Sequence, residues 1–216
     1  MEKQNLIVFD IDGTLADSVK IHQKAFTEML YEIGVNSINS EFKTFKHHTD
    51  SFIAKEIYES NKGNVFSKSK IIEFENGLTE KISVEKIEEI KGARELINHI
   101  ANNTDFGICY ATGSLLRPAK HKLKSIKVDY SEELLIASDK IYSREDIVLT
   151  AIDRAKEFYN VVKFDRIISV GDGLWDLLTA KNLNLEFIGI GLKNKKVLIE
   201  NGAKLVLDDL TEFEIK

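Results

Sequence analysis

Asp10 and Asp12 follow directly on a short apolar run, and Gly13 and Thr14 come next. Further apolar runs end in the same manner. One gives Thr112-Gly113-Ser114. Another gives Ser138-Asp139-Lys140, with Arg144 close behind, and a third gives Gly171-Asp172-Gly173, with Asp176 in the turn beyond it. Asp10, Asp172 and Asp176 are hard oxygen donors that repel one another unless a cation sits among them, and magnesium suits a few carboxylates, waters and a substrate phosphate. A metal also screens a dianionic phosphate from an attacking carboxylate. Asp10 can then attack phosphorus to give an aspartyl-phosphate. Asp12 can protonate the leaving oxygen and later activate water. Gly13 and Gly113 let backbone N–H groups approach phosphate oxygens, and the Thr112 hydroxyl can donate to another. A cation from Lys140 or Arg144 would balance the charge that develops in the transition state.

These groups meet only if the chain folds so that the runs lie side by side. Leu6–Phe9 reads as a buried strand, Phe106–Ala111, Leu134–Ala137, Ile167–Val170 and Phe187–Ile190 as further strands, and Leu205–Leu207 as a last edge strand. Between them, helices are expected at Ala93–Ile100, Leu116–Ile126 with Ser114 as cap, Val148–Phe158 with Ser143 as cap, Trp175–Asn182 and Val197–Asn201. Strands alternating with helices predict an α/β fold, a Rossmann-like parallel sheet with helices on both faces. Ligands bind such sheets beyond the carboxyl ends of the strands, where every group above is found.

The stretch from about 17 to 90 is different. Val19, Phe26, Leu30 and Ile33 recur at helix spacing until Gly34; Ile53 and Ile57 mark a second helix after Thr49 or Asp50. Ile71, Phe74, Leu78 and Ile82 mark a third, extended by Ile87 and Ile90. This predicts a helical bundle at 16–90 inserted into a core made of 1–15 and 91–216.

Phe9-Asp10-Ile11-Asp12-Gly13-Thr14-Leu15-Ala16-Asp17-Ser18 resembles the first motif of the haloacid dehalogenase-like hydrolase superfamily. Tyr110-Ala111-Thr112-Gly113-Ser114 resembles its second motif, and Val170-Gly171-Asp172-Gly173-Leu174-Trp175-Asp176 its fourth. The resemblance implies that Asp10 is nucleophile and metal ligand. It makes Asp12 the general acid/base, with its backbone carbonyl on Mg2+, and Thr112 the phosphate-binding hydroxyl. Asp172 and Asp176 become the metal-side carboxylates, and Gly13, Gly113 and Ser114 line the substrate. The insert is similar to the cap domain that closes over the site. In it, Lys46 and His48, next to a helix start, are candidates for substrate contact. The third motif departs from the pattern: Tyr142 stands where relatives carry a lysine. Arg144, in the first helical turn, is the preferred replacement, with Lys140 the alternative. Asp12 favours phosphate esters over haloacids, because halide leaves without a proton. The expected function is hydrolysis of a small phosphorylated metabolite; a sugar phosphomutase passing the phosphoryl group to a second hydroxyl is the alternative, and a phosphonate hydrolase or non-catalytic phosphate-binding module the weaker ones.

Composition limits the other options. The net charge is -5 with both signs interspersed, and no basic stripe predicts a nucleic-acid partner. No apolar run approaches a membrane span, so a cytoplasmic monomer or weak homodimer is expected. Cys109 is the single cysteine, read as a buried inert thiol. His22, His99 and His121 read as surface or packing residues, and Trp175 as core.

Overall fold

The computed structural model describes residues 2–38 and 45–215. Six parallel strands form one sheet in the order β3-β2-β1-β4-β5-β6. They are β1 (Asn5–Phe9), β2 (Phe106–Ala111), β3 (Leu135–Ile136), β4 (Arg166–Gly171), β5 (Glu186–Ile190) and β6 (Val206–Leu207). The central strands are mainly apolar because helices cover both faces. Alternation along β1 divides its side chains between two layers. Ile7 and Phe9 join the larger apolar cluster with α4 (Ala93–Asn103) and α5 (Leu116–Ser125); Leu6 and Val8 join the other with α6 (Arg144–Tyr159). Cys109 lies in the second layer, where burial pushes its thiol pKa up.

Register fixes the site. Phe9 pairs with Tyr110 on one side and with Val170 on the other, so β1, β2 and β4 end at the same level. The Asp10 N–H donates to the Val170 carbonyl at 2.9 Å and the Thr112 N–H to the Ile136 carbonyl at 3.0 Å. The polar residues after each strand therefore lie along one edge of the sheet. Helix α7 (Leu174–Asn182) leads from β4 to β5, and α8 (Lys195–Glu200) from β5 to β6.

Between β1 and α4 the described residues form α1 (Val19–Glu32), α2 (Asp50–Lys62) and α3 (Lys68–Ser83). Phe26 meets the Phe74 ring edge-on at 5.0 Å, and Phe66 and Tyr58 continue the same aromatic cluster. The third helix stops at Ser83, short of the expected Ile87 and Ile90. Those residues lie in an extended return segment: the Ile90 N–H donates to the Leu15 carbonyl at 2.8 Å and the Asp17 N–H to the Glu88 carbonyl at 2.9 Å. The two chain crossings thus run side by side, and their backbone groups are satisfied by each other rather than by a helix. Ile87 looked helical because it is buried there.

The helix caps agree at Ser143, whose hydroxyl accepts the Asp146 N–H at 3.0 Å. They differ at Ser114. Helix α5 starts two residues later, and the Ser114 hydroxyl faces inward to a side chain instead. No helix among the described residues is long and apolar enough to cross a membrane.

Candidate active site

The loop after β1 folds back on itself. The Gly13 N–H donates to the Ala16 carbonyl, and the Leu15 and Ala16 N–H groups share the Ile11 carbonyl. Gly13 has φ +82, a left-handed conformation that costs a side-chain-bearing residue energy. A Cβ there would stand 2.4 Å from Asp172 Oδ2, so glycine is what lets this loop lie against the loop after β4.

That approach gathers the acids. Asp10, Asp172 and Asp176 each present an oxygen within 4.8 Å of the others. Asp10 and Asp176 are buried. Asp176 Oδ2 accepts the Gly173 N–H at 3.0 Å, which fixes its carboxylate in the first turn of α7. Arg144, itself buried, reaches across from the first turn of α6. Its Nη1 lies 3.2 Å from Asp10 Oδ1 and its Nη2 3.0 Å from Asp176 Oδ1. Lys140 is exposed. Of the two cations considered for the third-motif role, Arg144 is the one beside the acids. The helix N-terminus aims it there, whereas Lys140 lies on the loop before α6.

One guanidinium does not neutralise three carboxylates. Burial, first, and then the Asp176 charge push the Asp10 carboxyl well above its ordinary range, against the pull of Arg144. Burial and Asp176 raise Asp172 from 3.8 to about 7. Asp176 is raised too, by burial, with Arg144 opposing. A buried cluster of oxygen donors with uncompensated repulsion is what a hard divalent cation relieves. Asp10, Asp172 and Asp176 therefore fit a metal ion. The Asp12 side chain is not part of this cluster.

Asp12 turns instead toward α5. Its carboxylate accepts from Ser18 Oγ at 2.6 Å and from Lys122 Nζ at 2.7 Å. Burial works to raise its pKa, but the Lys122 charge and these hydrogen bonds prevail and hold it at about 2. Lys122 is fully buried. It also donates to Ser114 Oγ at 3.1 Å and meets His22 Nδ1 at 2.8 Å; His22 Nε2 in turn meets Asp50 Oδ1 at 2.9 Å. Sequence reading passed over Lys122 because it sits in a run of lysines. The signal was its position: with Ala119 and Leu123 it falls on the buried stripe of α5. His22, expected to be a surface or packing residue, is drawn into this network because α1 lays it over α5. His99 is exposed, and His121 contacts Ser125.

Thr112 is buried, and its hydroxyl oxygen accepts the Ser114 N–H at 3.1 Å, leaving the O–H proton to donate elsewhere. Gly113 is covered by the insert. Its carbonyl accepts the Asp50 N–H at 2.8 Å, and a Cβ would stand 2.5 Å from the His48 carbonyl oxygen. The glycine thus admits the insert's backbone close to the β2 loop. Lys46 is exposed. The His48 ring stacks on Trp175 at 4.8 Å and 17°, so Trp175, expected in the core, is a half-buried contact between insert and sheet domain.

A search of the curated proteins finds no match. Solved structures share the fold. A HAD hydrolase, family IA, variant 3 from Entamoeba histolytica superposes with a TM-score of 0.73 at 20% identity, covering 98% of this chain and 96% of that one. CbbY from Rhodobacter sphaeroides, solved in complex with phosphate, gives 0.72 at 21% identity over 98% and 96%. A hydrolase from Pseudomonas syringae gives 0.69 at 21% identity, with 96% of each chain covered. The family model described as haloacid dehalogenase-like hydrolase matches residues 7–190, from β1 to the end of β5 and so across every loop of the site. The chain belongs to the haloacid dehalogenase-like hydrolase family.

Proposed function

We propose that the protein is a magnesium-dependent phosphatase of small phosphorylated metabolites, acting through an aspartyl-phosphate on Asp10. The observation that carries this reading is the placement of Asp10 at the end of the central strand, among Asp172, Asp176 and Arg144. When bound by Asp10, Asp172 and Asp176, magnesium would supply the positive charge that lets a carboxylate approach an anionic phosphate.

The chain's own residues supply the rest. An Asp10 carboxylate oxygen attacks phosphorus, and the bond from phosphorus to the ester oxygen breaks. Asp12, ionised beside Lys122, takes the proton of the bound phosphate monoester monoanion and passes it to that oxygen, so the alcohol leaves neutral. Asp12, ionised again, takes a proton from a water that attacks the aspartyl-phosphate. The phosphorus–Asp10 bond breaks, inorganic phosphate leaves with the proton that Asp12 took up, and both aspartates return to their ionised state. Arg144 orients Asp10 and offsets charge as it builds on the phosphoryl oxygens. The Thr112 hydroxyl donates to one of those oxygens.

The helical insert acts as a cap. Thr49 Oγ1 donates to the Tyr142 carbonyl at 2.8 Å, and Asp50 Oδ2 and Glu75 Oε1 accept the Leu115 and Arg117 N–H groups at 3.1 and 2.9 Å. Contacts of this kind seat the insert over the strand ends and exclude bulk water from the aspartyl-phosphate.

Phosphate release from a panel of phosphorylated metabolites, with magnesium and with chelator, tests the proposal. Magnesium-dependent release from one or a few compounds is expected. Folded protein that releases none, or that isomerises a sugar phosphate without net release, overturns the phosphatase reading.

A further inference from the structure

Lys122 carries a charge into the interior, and nothing in the proposed mechanism uses it. A lysine is among the side chains least often fully buried, and it stays so only when paired. Lys122 has no exposed surface. An ammonium has three N–H donors and no acceptor. Its neighbours are Asp12 at 2.7 Å, His22 Nδ1 at 2.8 Å and Ser114 Oγ at 3.1 Å, one partner for each donor. No donor is left over for a substrate phosphate.

The hydrogen-bond roles come from that inventory. Since Lys122 can only donate, His22 Nδ1 accepts, and the ring proton lies on Nε2, where it donates to Asp50 Oδ1 at 2.9 Å. The other Asp50 oxygen accepts the Leu115 N–H at 3.1 Å, at the start of the helix that bears Lys122. The chain Asp12–Lys122–His22–Asp50 is therefore closed at both ends. Asp12 and Lys122 belong to the sheet domain; His22, on α1, and Asp50, at the start of α2, belong to the insert.

We propose that Lys122 is the positioning residue for Asp12, and that the insert pair His22–Asp50 sets Lys122, so that the orientation of Asp12 depends on His22 and Asp50 as well as on Lys122. The inference rests on the assignment of Asp12 as the proton-transfer group in the proposed reaction. Lys122 touches no reacting atom in it; its effect on turnover passes through Asp12.

A double-mutant cycle separates this role from a structural one, with phenyl phosphate and magnesium as the probe reaction. Lys122→Met keeps the length and apolar stem of the side chain and removes the ammonium. It is expected to lower kcat by about 10²-fold, in the range that proton-transfer groups contribute, with KM little changed. Asp12→Ala with Lys122→Met should be no slower than Asp12→Ala alone, to within about twofold, because a group that acts through Asp12 has nothing left to act on. His22→Asn should lower kcat by about tenfold, and that loss too should vanish in the Asp12→Ala background. Losses that multiply in the double variants overturn the inference, as does a raised KM with kcat unchanged, which would make Lys122 a substrate ligand. If Lys122→Met does not fold, the His22→Asn cycle, at a partly exposed position, decides between the same two outcomes. Failure of the phosphatase reading looks different: the wild type would then release no magnesium-dependent phosphate from phenyl phosphate, or Asp10→Asn would release it as fast as the wild type does.

Discussion

Asp172→Asn is expected to stabilise the metal-free protein and to abolish its benefit from magnesium. The carboxyl of Asp172 stands at about 7 in the folded chain against its ordinary 3.8, because it is buried and faces Asp176. A gap of that size corresponds to about 4 kcal/mol. Its sign is set by which state holds the proton. Below 3.8 both folded and unfolded chains keep it and stability is unaffected. As pH rises from there to about 7, the unfolded chain gives up its proton and the folded chain does not, so stability falls by about 1.4 kcal/mol per pH unit. Above 7 both are ionised and the full cost remains. Asparagine keeps the shape and never ionises. In chelator at pH 8, urea unfolding should find Asp172→Asn more stable than wild type by up to about 4 kcal/mol. Near pH 4 the two should agree. Magnesium should stabilise the wild type strongly and the variant little. A variant that is less stable than wild type in chelator at pH 8 would refute the account, because it would mean that the carboxylate is held by favourable contacts rather than by crowding.

The other expectations concern the same loops. Arg144→Met removes the cation between two buried carboxylates and should cost about 3–5 kcal/mol in chelator, with turnover lost; Lys140→Ala, at an exposed position, should change stability by less than about 0.5 kcal/mol, both read by urea unfolding and phosphate release. Asp10→Asn should end turnover while leaving the circular dichroism spectrum and the unfolding transition in place. Gly13→Ala forces a side chain into a left-handed turn at about 1–2 kcal/mol and drives its Cβ into Asp172, so thermal unfolding should shift down and the magnesium needed for half-maximal activity should rise.

Local pattern carried most of this molecule. Each central strand is mainly apolar because it is covered on both faces, and the apolar stretch ends where the backbone reaches the ligand-binding edge. Asp10, Thr112 and Asp172 are therefore legible as the first polar residues beyond those runs. The α1 and α2 starts and the Ser143 cap were legible for the same reason: the signal is confined to one helical turn. The pattern misled where burial and helicity part company. Ile87 is buried, yet its segment is extended, because its backbone partners lie in the other chain crossing.

Which residues work together was decided by the tertiary fold. Lys140 and Arg144 are near neighbours in the chain, and only the angle of α6 against β1 brings Arg144 to Asp10 and leaves Lys140 in solvent. Lys122 reads as one lysine in a basic run until α5 is docked. The loops after β1 and β2 and helix α1 then surround its ammonium with Asp12, Ser114 and His22, groups drawn from separate segments of the chain. A sequence reports the chemistry each residue carries and the period on which it recurs. It does not report the field at a buried charge, because that field is the sum over neighbours that only folding assembles.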